Sequence, residues 1–179
     1  DPLHRHDAFP LTPIQHAYWL GRTGLIGYGG VACHVLFEWD LDPEFSLERL
    51  QAAWNAVLRR HDMLRMVVEA DGRQRILPCV PEYTFQHHDL RGIAADRREA
   101  GLQQIREAMS YRVLPADRWP LFEIAVSWFD PDVGDRGRRL HMNLDLLQFV
   151  TQSFQVMMDD LASAYAGSEL PPLSQSDRE

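Results

Sequence analysis

Asp145 and Ser153 are the residues of this sequence best placed to do chemistry. They lie in the run Leu140 to Ser153, where an apolar strand-like stretch carries a carboxylate into a turn and a hydroxyl to a helix start. Turns after strands open onto crevices in α/β folds, which is where functional groups collect. Arg65 is the third residue of interest. An Asp and an Arg both removed from water must be paired to tolerate burial, so Arg65 is the expected partner of the strand-end acid. Such pairs serve structure more often than catalysis.

Other chemistries find little support. Eight histidines are present, but no His-x-x-x-His spacing occurs, and adjacent His87, His88 and Asp89 point to alternate faces of a strand. No metal site is expected. There is no Gly-x-Ser-x-Gly elbow for a serine nucleophile. The glycines between Gly21 and Gly30 are followed by a strand-like run rather than by Lys-Ser or Lys-Thr, so they read as a crossing loop and not as a phosphate cradle.

The elements that must position Asp145 follow from periodicity. Thr12, Pro13 and Gln15 form a capping-box signal for a helix that stops in the glycine-rich run Gly21 to Gly30. Val31 to Trp39 alternates as a strand with one strongly apolar face, and Ser46 caps a helix carrying Leu47, Leu50, Trp54, Val57 and Leu58. Strands 64–68 and 73–77 flank Asp71-Gly72, a hairpin signal. A short strand at 83–85 ends at His87-His88-Asp89, and Ala95 to Ser110 reads as a solvent-facing helix with Leu102, Ile105 and Met109 inward. Strands at 121–129 and 140–144 enclose an exposed connection. Phe154, Met157, Met158, Leu161 and Tyr165 then mark a helix from Thr151 to Ala166, closed by Gly167. In that helix Asp159-Asp160 is expected to be a solvated acid beside a partly buried one. This order predicts an α/β (α+β) fold, a mixed sheet covered by helices.

A length of 179 residues suits one domain, with 1–8 as lead-in, 9–170 folded and 171–179 as linker. With 45% hydrophobic and 25% charged residues the composition is globular. A formal charge of −8 argues against nucleic-acid binding. No apolar run reaches about 20 residues and no leader pattern is present, so a cytoplasmic protein without membrane contact is expected. The two cysteines, Cys33 and Cys79, read as reduced core thiols.

Several stretches together resemble the heterocyclization domains of nonribosomal peptide synthetases, relatives of condensation domains. Phe9-Pro10-Leu11-Thr12-Pro13-Ile14-Gln15-His16-Ala17-Tyr18-Trp19-Leu20-Gly21-Arg22 resembles the family's first motif, with Gln15, Tyr18 and Trp19 as motif positions. Arg60 to Arg65 resembles its second, and Tyr111 to Phe122 its connecting signature. Asp145, Val150 and Ser153 fall where the family has Asp-x-x-x-x-Asp-x-x-Ser, so Val150 replaces an acid. The wording is most similar to siderophore-type, thiazoline-forming domains.

The resemblance implies one lobe of a chloramphenicol acetyltransferase-like fold. It implies condensation of carrier-bound thioesters, then cyclodehydration of Cys, Ser or Thr to thiazoline or oxazoline. It implies no cofactor, since substrates arrive on phosphopantetheine arms of carrier domains. The partners would be those carriers and a second lobe, and an uncovered lobe would also self-associate. In the family the second acid is held by the arginine ending the second motif, here Arg65. With Val150 in that place, Arg65 is expected to reposition, and Val150→Asp to raise the melting temperature. A chain of this length would be inactive alone. The rival reading is a degenerate lobe kept as a structural or carrier-docking module.

Overall fold

The computed structural model describes residues 6–23, 30–131, 136–149 and 151–170. The chain begins with β1 (Phe9–Pro10) and α1 (Pro13–Arg22). Helix α1 starts where the capping box places it: Thr12 Oγ1 accepts from the Gln15 amide at 3.3 Å, and Gln15 Oε1 accepts from the Thr12 amide at 2.9 Å. Strand β2 (His34–Asp40) leads to α2 (Leu47–Arg60), where Ser46 Oγ accepts from the Arg49 amide. One 3₁₀ turn, Asp62–Arg65, then feeds the hairpin of β3 (Met66–Val68) and β4 (Arg73–Ile76).

That hairpin turns at Gly72, whose φ of +80° suits glycine. A Cβ there would also stand 3.2 Å from the Trp19 ring. Strand β5 (Gln86–Asp89), α3 (Ala95–Tyr111), β6 (Phe122–Trp128), β7 (Arg138–Asp145) and α4 (Thr151–Tyr165) complete the order.

Two sheets result. The smaller is antiparallel, ordered β1-β4-β3. The larger is ordered β2-β7-β6-β5, antiparallel except where β5 runs parallel to β6. Parallel neighbours need a long crossover, and α3 supplies it. Apolar residues of β6 and β7, among them Ile124, Val126, Met142 and Leu144, face Trp54, Val57 and Leu58 of α2 and Met157 and Leu161 of α4. A second cluster of Met66, Val68, Ile76, Leu121 and Leu147, with Tyr18 and Trp19 against it, joins the hairpin and α1 to the end of β7.

Helices, hairpin and the mixed sheet match the expected α/β architecture, and four local expectations need correction. The strand expected at 83–85 forms one step later, on His87-His88-Asp89 itself, because parallel pairing with β6 takes Gln86 to Asp89. Strand β2 begins at His34 rather than Val31, and its two faces are about equally covered. Phe37 stacks on Phe154 of α4, while Glu38, on the other face, is paired by Arg106 of α3. Helix α3 is therefore a cover for the sheet and not only a solvated helix. The cysteines are free but not core: Cys33 is half-buried and Cys79 exposed. The glycine run 24–29, Val150 and the expected linker at 171–179 lie outside the described residues.

Candidate functional site

Strand β7 ends at Asp145, and the chain turns immediately. The Leu147 amide donates to Asp145 Oδ1 at 3.0 Å and the Gln148 amide to the Asp145 carbonyl at 3.1 Å. The acid thus folds its own turn, as Asp does readily. Its backbone is fixed from both sides, since the Asp145 amide donates to the Leu121 carbonyl and the Leu146 amide to the Cys33 carbonyl.

Asp145 is 2% exposed, and its partner is Arg22 rather than Arg65. Arg22 closes α1; its Nη2 donates to Asp145 Oδ2, and its Nη1 donates to the Leu114 carbonyl at 3.1 Å. Arg22 Nε is buried without a hydrogen-bond partner among the described residues. The site therefore holds a matched pair of buried charges with one donor unused. Sequence reasoning missed Arg22 as the partner, although it ends the first motif. Its signal was its position in the last turn of a helix whose start was already legible.

Arg65 has a full set of partners elsewhere. Its Nη2 donates to Asp62 Oδ1 at 2.7 Å, Nη1 to the Leu58 and Arg59 carbonyls at 2.6 and 2.9 Å, and Nε to the Leu77 carbonyl at 3.1 Å. Both side chains of the pair are 7% exposed. Arg65 pins the end of α2 to the hairpin. The acid three residues before it and the last carbonyls of α2 compensate its charge, so the vacancy expected from Val150 is filled.

Gln15 ties α1 to the turn. Besides its part in the cap, its Nε2 donates to the Leu147 carbonyl at 2.8 Å, and it exchanges amide hydrogen bonds with Gln74 of β4 at 3.2 and 3.1 Å. Tyr18 packs into the second cluster. Its phenol pKa is raised by desolvation and then by the neighbouring Cys33 thiol, so it stays protonated. Trp19 lies over the Gly72 turn. Ser153 is half-buried in the first turn of α4. Gln15, Arg22, Asp145 and Leu147 thus form one connected unit, while Arg65 belongs to a separate one.

Of the acid pair in α4, Asp160 is the half-buried one, accepting from Arg60 Nε at 2.6 Å and lying 2.7 Å from His61 Nε2, and Asp159 is the exposed one. Among the described residues no group of three His, Cys, Asp or Glu side chains could hold a metal. No described helix is long and apolar enough to cross a membrane.

The polar face of the larger sheet carries a second buried arrangement. His141 lies 2.7 Å from Ser127 Oγ and 2.8 Å from Glu38 Oε1, and Arg106 Nε donates to Glu38 Oε2 at 2.6 Å. Its serine, histidine and acid are ordered as in a hydrolase triad, but Ser127 and His141 are wholly buried, so no substrate can reach them. The His141 pKa is lowered by burial, with Glu38 opposing, and the ring is neutral.

Comparison with known proteins places the chain in a family. A family model described as Condensation domain matches residues 5–177. The chain is 34% identical over 165 residues to pyochelin synthetase PchF of Pseudomonas aeruginosa, covering 92% of this chain and 9% of that protein. It is 39% identical over 181 residues to phenyloxazoline synthase MbtB of Mycolicibacterium paratuberculosis, covering 100% of this chain and 15% of that protein. Among solved structures, the EpoB cyclization-docking bidomain from Sorangium cellulosum superposes with a TM-score of 0.88 at 35% identity, covering 99% of this chain and 35% of that one. The chain thus spans a small part of each curated relative and about a third of the structural one.

Proposed function

This chain belongs to the condensation-domain family and has the fold of one lobe of its cyclization type, and from that we propose that it supplies one wall of a heterocyclization site. The reaction is peptide-bond formation between carrier-bound thioesters, followed by loss of water to close a thiazoline or oxazoline, within a siderophore-type synthetase. The observation that carries the reading is the turn at Asp145: a buried acid at a strand end, fixed by its own backbone and charge-paired to Arg22 of the first motif. The relatives named as a pyochelin synthetase, a phenyloxazoline synthase and a cyclization-docking bidomain support the choice of cyclization over plain condensation.

In this reading the turn is architecture for the reaction. Asp145 is held too tightly to act as a mobile base, and it shapes the wall past which the tethered substrates meet. Partners are the carrier domains and the counterpart of the rest of the EpoB-like domain; no cofactor is required. Turnover needs that second part, and the chain alone is inactive.

Reconstitution tests this. The chain is combined with the remaining part of its domain and two loaded carriers, and the product is weighed. A product one water lighter than the linear amide supports the proposal. Linear amide alone would reduce it to condensation. Unreacted thioesters would favour a structural or carrier-docking module, the reading that Val150 in the acid position favours.

A further inference from the structure

A groove of about 450 Å³ lies between α3 and the β5–β6 edge, on the polar face of the larger sheet. It is separate from the Asp145 turn in its lining: Glu123 of β6, Arg112 just after α3, His88 of β5, and Gln104, Ile105 and Ala108 of α3. Glu123 is 5% exposed. Arg112 Nη1 donates to Glu123 Oε1, but Oε2 of the same carboxylate is buried without a hydrogen-bond partner among the described residues. A buried carboxylate oxygen left unpaired carries a desolvation penalty that a donor would relieve. Arg112 is half-exposed, and its Nε and Nη2 make no hydrogen bond among the described residues.

Glu123 and Arg112 both line the groove and form an ion pair of zero net charge that keeps an acceptor and donors unused, and Asp89, which also lines it, has its charge paired by Arg91. The His88 pKa is lowered by burial, then by His87 and Arg112, so its ring adds no charge. A cationic ligand would be opposed by Arg112 and an anionic one by Glu123. A group with both a C=O and an N–H, and no charge, meets both. Ile105 and Ala108 offer apolar wall to the carbons flanking such a group.

We propose that this groove binds a neutral amide-bearing chain, its carbonyl taken by Arg112 and its N–H by the Glu123 carboxylate. The site stands apart from the heterocyclization reading and does not rest on it.

The test titrates the 179-residue chain with N-butylacetamide and with butyl acetate, the ester of the same shape without the N–H. Butylammonium and butyrate serve as charged controls, all followed by amide NMR. The proposal expects saturable shifts on β5, β6 and α3 with the amide and at least tenfold weaker binding of the ester and both ions. Ala108→Phe fills the groove from an exposed position of α3 and leaves the buried pair untouched. It should abolish the shifts while the melting temperature holds. Equal binding of ester and amide, tighter binding of either ion, no saturable shift, or an Ala108→Phe chain that binds as before would each overturn the proposal.

Discussion

At the scale of residues, two buried arginines decide how this molecule should be read, and each has found an acid close at hand. Arg65 takes Asp62 and three carbonyls, so an acid at position 150 has no unpaired guanidinium to rescue. Val150→Asp should give no rise in melting temperature, whereas Asp62→Asn, which strands the buried charge, should cost about 3 kcal/mol in a denaturant titration. Arg22 and Asp145 make the parallel case. Asp145→Asn should cost about 3 kcal/mol, and the double variant Arg22→Met with Asp145→Leu should lose less than the single variants Arg22→Met and Asp145→Leu summed, because neither charge is then left alone. A double loss equal to the sum would mean that the pair does not couple.

At the scale of elements, helix starts, the hairpin and the α2 and α4 stripes were legible because each is a local signal: Thr12 with Gln15, Ser46, Asp71-Gly72, and apolar spacing at three and four. What depended on pairing was not legible. The shift of β5 onto His87-His88-Asp89 comes from its parallel neighbour β6, and the choice of Arg22 over Arg65 comes from where α1 docks. That docking runs through Gln15. Gln15→Ala removes its side-chain bonds to Thr12, Gln74 and Leu147 and should cost about 2 kcal/mol in a denaturant titration.

The set of Glu38, Ser127 and His141 lies beneath α3, whose Arg106 pairs with Glu38. It confers a pH dependence of definite sign. Native His141 is neutral with a lowered pKa, faced by Glu38, Arg139 and His88, while an unfolded chain protonates it near the ordinary value. The unfolded state then binds more protons below that value, so stability should fall as pH drops from about 6.5. The slope from this residue is at most about 1.4 kcal/mol per pH unit. Melting temperatures from pH 7 to 5 should show the decline, reduced in His141→Gln and not abolished, because the His88 pKa is lowered as well.

At the scale of the whole molecule, the proposed function makes this chain one of two lobes. It spans 35% of the EpoB bidomain that it superposes on. Exposed apolar side chains on its surface include Val31, Trp39 and Val156. A lobe without its counterpart leaves apolar surface open, so under the proposed function the chain alone should self-associate at high concentration, and light scattering showing a strict monomer there would count against this. The most direct measurement is the molar mass, by light scattering, of an equimolar mixture of this chain with the counterpart of the remaining EpoB-like part. The expected result is a single one-to-one complex that displaces the self-associated form. Two species eluting separately, each at its own mass, would contradict it.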